Sequence, residues 1–396
     1  MKILTALLSV LFASTSFSQT LQNDNGWRPA WGLDRIDQRE AELNDTYNYT
    51  LTGAGVSVYV FDSGINSSHE EFTGRIEPGF NVINDAYGTE DCSGHGTHTA
   101  SLIGGTTYGV AKQVKLIPVR VLNCRSGNSS SATLYTAINW VIEHHQTGVP
   151  AIINLSVGMS KSIAFNEAAQ ALIADGLIVV GAAGNQNRDA CLYSPASEPS
   201  VISVGGIDRA ALRASYSNYG SCVDIFAPGS DLVGAWFGST DIYRSSSGTS
   251  NAAPIVSGIV ALMLQDNPSL TQSQVEERLK TNATRDVLFN IGSGSQNLLA
   301  YSLFDSSSPA PTTTVPVTTT TIPVTTTTTP AVVVTTTTVA PQPTTRMPIL
   351  KSTRPTIPLP ADMTCTNAGA RIYFYNVPYV CSSGRWLLGA YSPGRP

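Results

Sequence analysis

Five apolar, β-branched runs recur through the middle of the chain with helical segments between some of them, and this alternation restricts the fold more than any other feature. The runs are GVSVYVFDSG from Gly55, VKLIPVRVL from Val114, AIINLSVG from Ala151, LIVVGAAGN from Leu177 and SVISVGG from Ser200. Each is short and apolar, as expected of a strand buried on both faces. Residues 132–145 and 163–175 carry apolar side chains at helical spacing. Strand and helix in succession join through right-handed crossovers into a parallel sheet covered on both sides. The expected fold is therefore α/β, with a mostly parallel central sheet and functional residues where strands end and loops begin.

Hydrophobic residues make up 42% of the 396 and charged residues only 13%, which suits a globular protein with a surface of Ser, Thr and Asn. A net charge of −5 without a basic cluster argues against nucleic acid as a partner. The first 18 residues join Lys2 to an apolar stretch from Ile3 to Ala13, followed by Ser16 and Ser18 at the spacing a signal peptidase reads. Cleavage near Ser18 and secretion are expected; the stretch is shorter than the roughly 20 residues that span a bilayer.

Composition changes abruptly after Phe304. Residues 305–360 are Thr, Pro and Val in runs such as VTTTTTP, which cannot bury enough apolar surface to fold and read as a disordered linker. Residues 361–396 hold Cys365, Cys381 and the aromatic run RIYFYNVPYV. So small a module needs its disulfide to hold a fold, and it reads equally as a polysaccharide-binding module or a sorting tail. One folded domain over residues 19–304 is expected between leader and linker.

Six cysteines suit an oxidising compartment. They fall in three groups, Cys92 with Cys124, Cys191 with Cys222, and Cys365 with Cys381, so sequential pairing is the simplest of the fifteen connectivities that six cysteines allow.

Three motifs carry chemistry. FDSGI puts Asp62 just after a buried strand, DCSGHGTHTA puts His95 between two glycines at a helix start, and SSSGTSNAAPIVSGIVALML puts Ser250 where another helix begins. A serine hydroxyl needs a base to take its proton as it attacks, and a histidine has the right intrinsic pKa. An aspartate can orient that imidazole and stabilise its cation without taking the proton. Gly94, Gly96 and Gly248 let the backbone approach closely, and the helix from Ser250 presents its positive end. Pro254 is expected to be tolerated as a first-turn residue. Asn185, after a buried strand, could supply a side-chain amide to an oxyanion beside the Ser250 backbone amide. The order Asp, His, Ser is one of three known for such a triad, whereas an α/β-hydrolase esterase needs Gly-x-Ser-x-Gly and the order Ser, acid, His.

From WGLDRIDQRE through SGSQNLLAYSLF the chain resembles the subtilisin-type proteases of peptidase family S8, in the proteinase K group, and within it the aqualysin-type enzymes. The resemblance implies a subtilisin-like three-layer sandwich and a serine endopeptidase with Asp62, His95 and Ser250 as triad and Asn185 as oxyanion donor. It also implies disulfides Cys92–Cys124 and Cys191–Cys222, and no catalytic cofactor. A peptide substrate would lie as an added strand between residues 126–130, where Ser126, Gly127 and Asn128 stand, and residues 156–159. The pocket walls, Ser156, Val157 and Gly158 with Ala182 and Gly184, carry no charge and imply apolar or aromatic side chains before the cut. Structural calcium is implied at Pro199, Val201 and Asp224, and at a second site using Asp34, Asp37, Gln38, Asn44 and Thr46. A monomer with protein or peptide substrates is expected.

The chain departs from that family in places. Val157, Gly158 and Met159 follow Ser156 where Leu-Gly-Gly is usual, Asn251 stands for methionine, and Ile255 for histidine. Few residues separate Ser18 from Trp27, too few for the inhibitory pro-region of relatives. A non-catalytic adhesive protein on a Thr/Pro stalk is the rival reading, but a degenerate binder is expected to lose a triad motif. His98 is expected to be structural, and His69, His144 and His145 solvated. Sequons start at Asn44, Asn48, Asn66, Asn128, Asn154 and Asn282, and Asn154 falls in a buried strand.

Overall fold

Adjacent residues of one strand feed opposite faces of the central sheet. Val58 and Val60 join one apolar cluster, with Ile152, Val180 and Val204, while Tyr59 and Phe61 join another, with Ile153, Val179 and Leu155. That period of two is what a strand buried on both sides requires. The computed structural model describes residues 16–21, 30–124 and 129–304, and the backbone of three further strands beyond residue 370.

The sheet has nine strands, in the spatial order Thr284–Arg285, Leu298–Leu299, Ile225–Pro228, Ile202–Ile207, Ile178–Ala182, Ala151–Leu155, Ser57–Asp62, Lys115–Arg120 and Phe80–Asn81. All neighbours are parallel except the first two strands. Among the described residues six helices accompany it: α1 (Trp31–Ile36), α2 (His95–Gly104), α3 (Ser131–His144), α4 (Ile163–Ala174), α5 (Thr249–Asp266) and α6 (Gln272–Asn282). Residues of α2 and α5 pack into the first cluster and those of α3 and α4 into the second, so helices cover both faces. Ser130 and Ser162 cap α3 and α4 by accepting the N–H groups of Thr133 and Phe165. The two helices expected from spacing are present within a residue of their expected ends.

Phe17 and Ser18, placed by the sequence at the end of the leader, pair in register with Tyr49 and Asn48 in an antiparallel ladder. Residues 1–15, the linker 305–360 and Cys365 lie outside the described residues, as does the side chain of Cys381. The strands Arg371–Phe374, Val377–Ser382 and Arg385–Leu388 form an antiparallel three-stranded sheet of their own. Among the described residues no helix is long and apolar enough to cross a membrane. Cys92 is bonded to Cys124 and Cys191 to Cys222, as sequential pairing anticipates. On the chain-entropy account each closed loop of this length contributes roughly 3 to 4 kcal/mol.

The sequon asparagines are built into the fold. The side-chain amide nitrogen of Asn44 donates to Gln38, that of Asn48 to Asp37, that of Asn66 to the Ser239 carbonyl, that of Asn154 to Ser156, and that of Asn282 to the carbonyls of Tyr301 and Leu303. Asn128 lies outside the described residues.

Candidate active site

Asp62 ends its strand with a fully buried side chain. Both its oxygens lie 2.8 Å from His95 Nδ1, and they also accept from the Ser63 amide at 2.7 Å and the Thr99 hydroxyl at 3.2 Å. This fixes the tautomer: Nδ1 carries the proton and Nε2 is left to accept one. Burial works against a charged ring, but the Asp62 charge, its hydrogen bond and Asp91 outweigh it and hold His95 above the ordinary histidine range.

The His95 loop is shaped by a residue that sequence reasoning missed. Asp91 Oδ1 accepts from the amides of Ser93 and Gly94 at 2.9 Å, and Oδ2 accepts from the amide and hydroxyl of Thr97 at 2.8 and 2.6 Å. Asp91 thus caps the first turn of α2, and the Ser63 hydroxyl links it to Gly96 N–H. The signal was present as an acid shortly before a histidine-bearing helix. Gly94 itself sits at φ +99°, and a β-carbon there would meet the Trp236 ring at 2.1 Å, so both backbone and packing require glycine.

Ser250 occupies the first turn of α5. Pro254 lies four residues on, in the second turn rather than the first, where its missing N–H would have bonded the Ser250 carbonyl. That carbonyl instead accepts from Ser156 Oγ at 2.9 Å. Ser156 in turn accepts from Asn154 Nδ2 at 2.9 Å, and Asn154 Oδ1 accepts from Ser257 Oγ at 2.9 Å. The proline is tolerated because a buried polar ladder from a sheet strand satisfies the freed oxygen.

Asn185 Oδ1 accepts from both the amide and the hydroxyl of Thr249 at 2.8 Å. A backbone N–H can only donate, so the oxygen is fixed there and the NH₂ group must point the other way. A β-carbon at Gly248 would lie 2.8 Å from Ser250 Oγ, 3.4 Å from Asn185 Nδ2 and 3.6 Å from Ser250 N. The hydroxyl and two N–H donors therefore converge around the space that glycine leaves open. Asn218, also missed from sequence, holds this loop by donating to the Ala183 carbonyl and accepting from the amides of Gln186 and Arg188.

His95, Ser250, Asn185, Ser156, Val157, Gly158, Ala182 and Gly184 all line one cleft of about 630 Å³. Its described lining contains no Asp, Glu, Lys or Arg; Met159, Leu122, Leu134 and Tyr193 add apolar surface. Ser126, Gly127 and Asn128 lie outside the described residues. The Subtilase family profile matches residues 53–302.

The chain belongs to the subtilase family. It is 50% identical over 274 residues to an extracellular serine proteinase of Thermus sp. (strain Rt41A), an alignment covering 69% of this chain and 66% of that protein. It is 44% identical over 276 residues to alkaline serine exoprotease A of Vibrio alginolyticus, covering 70% of this chain and 51% of that one. The chain thus spans between half and two thirds of the length of these relatives. A crystal structure of a cold adapted subtilisin-like serine proteinase superposes with a TM-score of 0.66 at 44% identity, covering 69% of this chain and 98% of the other.

In this subtilase Asn251 and Ile255, beside Ser250, are buried. Ile255 joins the first apolar cluster, and both polar atoms of Asn251 lack a hydrogen-bond partner. Two histidines expected in solvent are not there. His69 is 1% exposed, with Nε2 2.9 Å from the Ile242 carbonyl and Nδ1 accepting from Glu71 N–H, because it caps the turn Glu70–Phe72. His145 pairs with Asp175 at 3.3 Å. His144 is exposed and stacks on Trp140, and His98 is buried with Nε2 3.0 Å from the Leu232 carbonyl.

The two calcium expectations fare differently as oxygen sites. At the first, with Pro199, Val201 and Asp224, the carboxylate faces an ammonium: Asp224 Oδ1 lies 2.8 Å from Lys280 Nζ and Oδ2 accepts from Ser203 N–H at 2.9 Å. Asp34 and Asp37, by contrast, are 1% and 4% exposed, and Asp37 Oδ1 has no hydrogen-bond partner. Gln38 and Asn44 are joined through Asn44 Nδ2 and Gln38 Oε1 at 2.6 Å, and the Thr46 hydroxyl bonds Asn44 Oδ1. Two buried carboxylates, an orphaned oxygen and amide oxygens suit a hard cation.

Proposed function

We propose that this subtilase is a secreted serine endopeptidase that hydrolyses peptide bonds through an acyl-enzyme intermediate. The observation that carries the proposal is the cleft itself, where a histidine oriented by a buried aspartate and a serine beside two N–H donors line one cavity. In this reading Ser250 Oγ attacks the scissile carbonyl while His95 Nε2 takes its proton. Asp62 stabilises the imidazolium, and the carbonyl oxygen, now an oxyanion, is held by Asn185 Nδ2 and Ser250 N–H. His95 then gives the proton to the leaving amine, and a water repeats the sequence on the ester.

The uncharged cleft supports an apolar or aromatic side chain before the cut, and Met159 in its lining would narrow that preference. The substrate strand would pair with residues 156–158 and with the segment holding Ser126, Gly127 and Asn128. Calcium at Asp34, Asp37 and Gln38 would offset the charge of the two buried carboxylates; it takes no part in the chemistry. We take the protein to act as a monomer, with the tail beyond residue 361 as a surface or polysaccharide contact.

The test is incubation of the secreted wild type and Ser250→Ala with casein and chromogenic peptides carrying Phe, Leu or Arg before the cut. Wild type is expected to cleave casein and the apolar peptides, and the alanine variant neither. An active alanine variant removes Ser250 from the mechanism, and a preference for Arg removes the apolar pocket. Met159→Gly is expected to raise the relative rate on Phe.

A further inference from the structure

We infer that the ammonium of Lys280 stands in for a bound cation at Asp224, pinning that corner of the domain without a metal. Asp224 immediately precedes the strand Ile225–Pro228, and the loop 198–201 enters the neighbouring strand Ile202–Ile207. Two strand starts therefore meet here beside a half-buried carboxylate, whose charge is best held by a partner.

A calcium ion would need six to eight oxygen ligands, with the carboxylate facing it. At Asp224 the carboxylate faces a positive charge instead: Oδ1 lies 2.8 Å from Lys280 Nζ, while Oδ2 accepts from the Ser203 amide at 2.9 Å. The same ammonium reaches Glu276 Oε1 at 2.5 Å, one helical turn back along α6. A glutamate four residues before a lysine is the favourable orientation on a helix. The three side chains are 17 to 23% exposed, so the charges are shielded from water but not sealed from it.

Helix α6 grips the same loop at its other end. Gln272 Nε2 donates to the carbonyls of Ser200 at 2.7 Å and Val179 at 3.0 Å, and Gln272 Oε1 accepts from Val179 N–H at 2.8 Å. Gln272 thus holds the loop by hydrogen bonds while Lys280 holds Asp224 by charge, both from one rigid helix. Removing the lysine leaves two carboxylates, Asp224 and Glu276, that both bordered its ammonium, the charge complement of a divalent cation.

The experiment counts calcium ions bound per chain by calorimetric titration of the metal-free full chain, carrying Ser250→Ala to prevent self-digestion. Asp224→Asn is expected to leave the count unchanged, because no ion sits there. Lys280→Ala is expected to bind one ion more, and the double variant Lys280→Ala/Asp224→Asn to lose that extra ion. Lys280→Arg is expected to keep the original count. Loss of one ion in Asp224→Asn, or an unchanged count in Lys280→Ala, overturns the inference. If Asp224→Asn does not accumulate folded, the lysine variants decide; a Lys280→Ala chain that folds only with calcium supplied supports it.

Discussion

The Ser156 hydroxyl donates to the Ser250 carbonyl at 2.9 Å, across the gap that Pro254 opens in helix α5. One hydrogen bond thus ties the wall of the cleft to the backbone of the nucleophile. Ser156→Ala leaves that carbonyl without its partner, and the expected loss of stability is about 1 to 3 kcal/mol. Urea unfolding of the inhibited protein measures it; an unchanged midpoint would mean that water replaces the hydroxyl at no cost.

Asn185→Asp keeps the oxygen that accepts from Thr249 and removes the NH₂ that faces the cleft. The expected result is a kcat lower by at least about two to three orders of magnitude with KM and thermal stability little changed. A KM effect of the same size as the kcat effect would assign Asn185 to ground-state binding instead.

His95 must be neutral to accept the serine proton. Because Asp62 and Asp91 hold it above the ordinary value of about 6.5, kcat/KM is expected to rise with pH through an apparent pKa above that value and level off at alkaline pH. Asp62→Asn removes the main stabilising charge, so the rise moves to lower pH and kcat falls by about 10⁴. A rise centred below 6.5 in the wild type would contradict the geometry.

His98 works in the opposite sense. Burial pushes it down to about 4, below the roughly 6.5 of an unfolded chain. Its stability contribution is complete above pH 6.5 and is lost as pH falls toward 4, by roughly 3 kcal/mol. His98→Gln, which keeps a donor for the Leu232 carbonyl, is expected to flatten that limb of the stability curve. An equally steep limb in the variant would place the titrating group elsewhere.

The parallel sheet was legible because Val58, Tyr59, Val60 and Phe61 are apolar without a break, which only a doubly covered strand explains. Asp62, His95 and Ser250 were legible because their motifs are local. What the sequence did not reveal were partners distant along the chain. Asp91 looked like any loop acid, yet its carboxylate shapes the His95 turn. His69 looked solvated because Ile242, its carbonyl partner, is far along the sequence. Lys280, the partner of Asp224, is equally remote along the chain. Pro254 was read by its distance from the helix start, when the deciding fact was the hydroxyl waiting at Ser156.

The amide nitrogens of Asn44, Asn48, Asn66, Asn154 and Asn282 are already spent on internal bonds. A eukaryotic secretory pathway that attaches sugars to these positions before the domain closes would put a bulky group on nitrogens that bond Gln38, Asp37, Ser239, Ser156 and Tyr301 in the folded chain. Manufacture in a cell with such machinery therefore works against maturation, and at Asn154 the sequon offers no neutral remedy, because its serine is Ser156, the donor to the Ser250 carbonyl.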